Sequence, residues 1–258
     1  MHLPYRLTDR IGTRATLGLI ALQTDETIEP ELHRIFAATD VALYVSRVPS
    51  APDVTPETLA TMADELPRAA GLLPPSLSFD AIGYGCTSGA TIIGPDRVAK
   101  LISGAANMGN SGSVTNPLTA ILAALQTLGG RRIGMVTPYI ESVTAPMRNV
   151  LISNGFEVPK TVSFDEAIEA KVARIDPGSI AEAAIEVGKS DVDVVFLSCT
   201  NLRTLDVIDQ IEATLGKPVI SSNQALAWHM ARLSGASCAV RAGRLMRDYL
   251  PVNHDAGG

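Results

Sequence analysis

Two passages of this chain repeat each other, and each carries a cysteine. The first runs Phe79-Asp80-Ala81-Ile82-Gly83-Tyr84-Gly85-Cys86-Thr87-Ser88, the second Asp193-Val194-Val195-Phe196-Leu197-Ser198-Cys199-Thr200-Asn201. In both, an apolar strand-like run ends at the thiol and a polar turn begins. Two further anchors keep the same order. Gly18 in Leu17-Gly18-Leu19 matches Gly134 in Ile133-Gly134-Met135, and Asn116 after Thr115 matches Asn223 after Ser222. The three offsets are 116, 113 and 107 residues. That period is far beyond the ~20–50 residues of solenoid units. It predicts two similar α/β halves with a cleft between them. Ligands bind such open sheets outside the carboxyl ends of the strands, where both thiols fall.

Strands are expected over 15–22, 41–48, 81–84, 132–136, 194–197 and 218–220. Several are continuous apolar runs, the pattern of strands covered on both faces in a parallel sheet. Helices are expected between them, over 56–70, 95–106, 117–128, 179–188 and 205–215, with another over 225–233. Alternation of this kind means βαβ units and a mostly parallel sheet flanked by helices in each half. Residues 1–115 with 225–258 are assigned to the half carrying Cys86, and 116–224 to the half carrying Cys199. The glycine-rich stretch 103–113 reads as a loop, with a hinge or lid as the alternative. Residues 253–258 read as a disordered tail.

Composition narrows the function. The 258 residues are 46% hydrophobic and 19% charged, enough apolar content for a substantial core. Aromatic residues make up 4% and the net charge is −6, which argues against a nucleic-acid partner. The start, Met1-His2-Leu3-Pro4-Tyr5-Arg6, does not resemble a signal peptide, and no run approaches the ~18 apolar residues that cross a bilayer. Three cysteines without a Cys-x-x-Cys suit a reducing cytoplasm. Cys238 reads as a small core residue. No spacing of His, Cys or carboxylates suggests a metal. Gly83-Tyr84-Gly85-Cys86-Thr87-Ser88-Gly89 places its third glycine one residue too late for a dinucleotide fingerprint, and no phosphate-binding loop is present. His229 reads as structural.

A free thiol has a pKa of about 8.5 and is mostly protonated at neutral pH. A helix N-terminus lowers that value. Both cysteines precede helix-like sequence, so each turn is expected to favour thiolate and to cradle a carboxylate. Asp25, after the first strand, either caps a helix or orients a thiol or a substrate ammonium. Tyr139, after the matching strand, is placed to donate its O–H to a carboxylate or an enolate.

Gly83-Tyr84-Gly85-Cys86-Thr87-Ser88-Gly89, Thr137-Pro138-Tyr139, Leu197-Ser198-Cys199-Thr200-Asn201 and Ser221-Ser222-Asn223-Gln224-Ala225 together resemble the aspartate/glutamate racemase superfamily. Within it they resemble the branch of maleate cis-trans isomerase and arylmalonate decarboxylase. Gln23-Thr24-Asp25-Glu26-Thr27-Ile28-Glu29 is most similar to racemase-like proteins of ectoine utilisation. The resemblance implies two pseudo-symmetric domains, no cofactor and a homodimer. It also implies that decarboxylation is disfavoured, because the decarboxylase keeps only the second cysteine. Maleate isomerases carry asparagine where this chain has Asp25, whereas amino-acid racemases use an aspartate there.

The expected function is a cofactor-independent racemase acting on a small, amino-acid-like carboxylate. Cys86 and Cys199 would face opposite sides of one carbon, one as base and one as acid. Thr87, Ser88, Thr115, Asn116, Tyr139, Thr200, Asn201 and Asn223, with Asp25, would hold the substrate. The enzymatic alternative is maleate isomerisation, with Cys86 as nucleophile and Cys199 handling the proton. A non-catalytic carboxylate-binding protein is the third reading.

Overall fold

The computed structural model describes residues 2–38 and 40–250. The first half contains β1 (Ala15–Leu22), α1 (Ile28–Ile35), β2 (Val41–Val48), α2 (Pro56–Gly71), β3 (Phe79–Gly85), α3 (Thr87–Ile93), α4 (Pro95–Ser103), β4 (Met108–Thr115) and α5 (Pro117–Leu128). The second contains β5 (Arg132–Tyr139), α6 (Glu141–Ser153), β6 (Glu157–Glu166), α7 (Glu169–Val172), α8 (Pro177–Gly188), β7 (Val194–Leu197), α9 (Ile208–Leu215) and β8 (Val219–Ser221), after which α10 (Ser222–Ser234) returns to pack on the first. A last helix, α11 (Gly243–Tyr249), packs against β8 and α9. Each half forms a four-stranded sheet, ordered β2-β1-β3-β4 and β6-β5-β7-β8, and every pairing is parallel. The orders correspond strand for strand, as the repeated anchors require.

The inner strands form because their side chains have nowhere wet to go. All eight residues of β1 and all four of β7 are buried. Helix ends carry the expected stop signals. Thr55 and Ser221 form capping boxes with Thr58 and Gln224, while Gly129 and Gly235 close α5 and α10 in left-handed conformation. Helix α10 is buried over Ser222–Trp228 and packs on β3, β4 and α5. Its buried polar first turn is held by bonds from the Asn223 and Gln224 side chains to Glu31, Thr200 and Ala242.

Two edge strands depart from the sequence expectation. The glycine-rich stretch is a loop only between α4 and β4, because Met108–Thr115 pairs with β3 as an edge strand. Its glycine is a fit to space, since a Cβ on Gly112 would sit 2.4 Å from the Phe79 carbonyl oxygen. Strand β6 alternates half-buried with exposed residues and so lacks the continuous apolar run of the inner strands. Cys238 is half-buried at the edge of the core, not within it. The tail 253–258 lies outside the described residues.

The paired glycines of β1 and β5 differ in what they permit. A Cβ on Gly134 would meet Val187 of α8 at 2.2 Å, whereas one on Gly18 would meet Ile82 and Leu73 at 3.0 Å. Gly134→Ala is expected to cost about 1–3 kcal/mol by overpacking, and Gly18→Ala less. Urea unfolding checks the order, and adding Val187→Ala should recover part of the Gly134→Ala loss.

Candidate active site

Cys86 ends β3 and takes the N-cap position of α3, where its Sγ accepts the Gly89 N–H at 3.1 Å. The approach requires glycine, because a Cβ at position 89 would lie 2.5 Å from the Tyr84 hydroxyl and 2.9 Å from Cys86 Sγ. Cys199 follows β7, and its Sγ accepts the Asn201 N–H at 3.2 Å. No helix begins behind it; α9 starts only at Ile208. The expected helix-terminal setting therefore holds for Cys86 alone.

Both thiols line one narrow cavity, which leaves about 10 Å³ for the centre of a water molecule. Thr87 and Ser88 border it from the first half; Tyr139, Glu169 and Thr200 border it from the second. Leu22 and Leu59 form its apolar wall, and with Glu169 they also border a neighbouring cavity that reaches Ser50 and Asp53. Among the described residues no lysine, arginine or histidine lines either space.

Glu169 is the site residue that the sequence reading missed. Its Oε1 accepts the Tyr139 hydroxyl at 2.6 Å and its Oε2 accepts Asn201 Nδ2 at 2.6 Å. The Tyr139 oxygen also lies 3.1 Å from Cys199 Sγ. Backbone pairing brings Glu169 here from the loop after β6. Asp53 and Ile168 form an antiparallel bridge, flanked by Val54 N–H to Ala167 O at 3.0 Å and Glu169 N–H to Pro52 O at 3.1 Å. The readable signal was the alternation of Val158, Lys160, Val162 and Phe164, which would have placed Glu169 beyond the end of a strand.

Burial governs the charges here. It pushes Cys86 up to about 12 and Cys199 well above its ordinary value, against the N–H donors of Gly89 and Asn201. The nearby Glu169 carboxylate raises both further. Glu169 is itself raised by burial, against its bonds from Tyr139 and Asn201. The expectation of a thiolate favoured by its turn is thus corrected: desolvation outweighs the N–H groups and disfavours the charged form of both cysteines.

The other sequence candidates are held nearby by structural bonds. Asp25 Oδ1 accepts Thr27 N–H and Ile28 N–H, each at 2.8 Å, and so anchors the start of α1. Its Oδ2 is buried without a hydrogen-bond partner, and burial raises its pKa. Thr87 donates to Ser222 Oγ at 2.8 Å, and Thr200 donates to Gly85 O at 3.4 Å. Asn201 Oδ1 accepts Glu26 N–H at 2.9 Å, which ties the two halves behind the cavity. Thr115, Asn116 and Asn223 do not line the cavity. Thr115 pairs with His229 Nδ1 at 2.7 Å, Asn116 caps α5, and Asn223 Nδ2 donates to Glu31 Oε2 and Thr200 O, each at 2.8 Å.

The family model for arylmalonate decarboxylase matches residues 87–246, more than half of the chain. A maleate isomerase from Geobacillus stearothermophilus is 26% identical over 225 residues, covering 80% of this chain and 86% of that protein. An arylmalonate decarboxylase from Bordetella bronchiseptica is 32% identical over 131 residues, covering 50% of this chain and 55% of that protein. The solved structure of a Nocardia farcinica maleate cis-trans isomerase mutant, which holds a covalently bound succinylcysteine intermediate, superposes with a TM-score of 0.80. It covers 91% of this chain and 98% of that one at 22% identity. This chain belongs to the arylmalonate decarboxylase family, and it is an enzyme of the type that includes the maleate isomerases. Among the described residues no helix is long and apolar enough to cross a membrane, and no cluster of His, Cys, Asp and Glu could hold a metal.

Behind the site, Glu31 on α1 clasps the second half. Its Oε1 accepts Thr204 N–H at 2.9 Å and Leu205 N–H at 3.0 Å. Burial nevertheless raises its pKa from 4.5 to about 7. The folded chain then holds a proton that the unfolded chain releases between those values. Stability from this group is fully present below pH 4.5 and is lost as pH rises through about 7. The gap corresponds to about 3 kcal/mol. Chemical denaturation at about pH 5 and about pH 8 is expected to show this fall, and Glu31→Gln should flatten most of it. Equal slopes for variant and wild type would contradict the assignment.

Proposed function

We propose that this enzyme racemises a small, amino-acid-like carboxylate by proton transfer between Cys86 and Cys199. The observation that carries the reading is that two thiols from matching loops border one narrow cavity. One thiol, as thiolate, removes the proton from the carbon next to the carboxylate. The other delivers its proton to the opposite face. The planar intermediate places negative charge on the carboxylate oxygens, and Ser88, which borders the cavity, is the side chain assigned to donate to them, since Thr87 and Tyr139 already donate to Ser222 and Glu169. The chemistry runs through side chains alone, in keeping with relatives that are cysteine-based isomerases and decarboxylases. A substrate with an amino group fits walls that hold the Glu169 carboxylate and, among the described residues, no cation, with buried Asp25 close enough for its charge to act on both thiols.

Maleate isomerisation is the second reading, supported by the isomerase relatives and by the succinylcysteine of the Nocardia farcinica protein. In it Cys86 adds to the double bond and Cys199 handles the proton. A dicarboxylate, however, would enter a cavity bordered by a carboxylate and no lysine, arginine or histidine, where like charge is costly.

Proton NMR in D₂O with aspartate, glutamate, N-acetyl-2,4-diaminobutyrate and maleate separates the readings. The α-proton signal of an amino-acid-like compound should disappear as the enantiomer forms. Cys86→Ala and Cys199→Ala should each slow racemisation about 10²–10⁴-fold. Conversion of maleate alone would favour isomerisation, and a variant lacking either thiol that racemises normally would sink the shuttle.

A further inference from the structure

The two thiols are not equivalent in their surroundings. Cys86 Sγ accepts the Gly89 N–H and has no carboxylate in hydrogen-bonded line with it. Cys199 Sγ lies 3.1 Å from the Tyr139 hydroxyl oxygen, which is 2.6 Å from Glu169 Oε1. Asn201 joins both ends of this row: its N–H points to Cys199 Sγ at 3.2 Å and its Nδ2 holds Glu169 Oε2 at 2.6 Å. Tyr139 has one proton. With that proton on the 2.6 Å bond to the carboxylate, the Cys199 S–H is the donor to the tyrosine oxygen.

We propose that Glu169 is a positioning residue that makes Cys199 the base of the pair, by taking the Cys199 proton through Tyr139. The inference rests on the two-thiol reading above. The Cys199 proton passes to the Tyr139 oxygen as the Tyr139 proton passes to Glu169 Oε1. The S–H and O–H bonds that break are replaced by two O–H bonds, leaving Cys199 as thiolate, Tyr139 neutral and Glu169 as the neutral acid. One negative charge is present before and after. The relay therefore relocates a buried charge already present, whereas losing the proton to water would add a second one. Cys199 then takes the substrate proton, and Cys86 gives its own to the opposite face. The Glu169 proton returns to Cys86 through the water that replaces product, which restores the starting state.

Competitive alkylation of the folded full-length chain by iodoacetamide, with each cysteine followed by peptide mass spectrometry, tests this without turnover. In the wild type Cys199 should label faster than Cys86. Glu169→Gln should slow Cys199 about tenfold or more, because thiolate is the reacting form, while Cys86, relieved of a nearby negative charge, labels no more slowly than before. Glu169→Asp should recover part of the rate. A merely structural role for Glu169 would move both cysteines together. The proposal is overturned if Cys86 labels faster than Cys199 in the wild type, if Cys199 does not label in the folded wild type, or if Glu169→Gln leaves Cys199 unchanged, speeds it, or slows both cysteines alike. The two readings fail separately. Fast, Glu169-dependent labelling without any α-proton exchange would keep the relay and discard the shuttle. Exchange with Glu169-independent labelling would do the reverse.

Discussion

The cost of burying charge organises this site. Two thiols, a phenol and a carboxylate meet in a space with room for little more than one water, and none of the described side chains lining it is a cation. In such surroundings a second negative charge is expensive, so chemistry that needs a thiolate is favoured by moving a charge rather than creating one. The row Cys199–Tyr139–Glu169 meets that condition, and Asn201 holds both of its ends. A substrate bearing an amino group would bring the compensating cation itself.

The repeat builds the cavity, and the departures from the repeat give it direction. Corresponding sheets deliver Cys86 and Cys199 from corresponding strand ends, β3 and β7. The turns after β1 and β5 do not correspond: one offers Asp25, which anchors α1, and the other Tyr139, which faces Cys199. The loops after β2 and β6 pair with each other through Asp53 and Ile168, yet Glu169, not Asp53, borders the space between the thiols. Hydrogen bonds across the halves, from Glu26 to Asn201 and from Thr204 and Leu205 to Glu31, hold these unlike pieces in register.

What the sequence made legible follows burial. The inner strands β1 and β7 fall where continuous apolar runs were read, and the two cysteines fall in one cavity as their matched positions required. Two of the four edge strands, β4 and β6, were hidden because they lack a continuous apolar run, whereas β2 and β8 carry one. Residues 108–115 look like a loop until Gly112 is seen packed against a carbonyl oxygen, and 157–166 reads as polar alternation. Missing β6 concealed Glu169. Thr115, Asn116 and Asn223 were chosen for their place at a strand end, yet their polar atoms serve His229, α5 and Glu31. Position along the chain identifies the sheet edge but does not say which way a side chain turns.

The central claim is that one planar carbon sits between two thiols. A crystal structure with a flat, amino-acid-like monocarboxylate such as pyrrole-2-carboxylate bound would test it most directly. The account predicts the ligand plane between the sulfurs, with Cys86 in contact on one face and Cys199 on the other. A ligand seated with both sulfurs on the same face, or touching one thiol only, would contradict it.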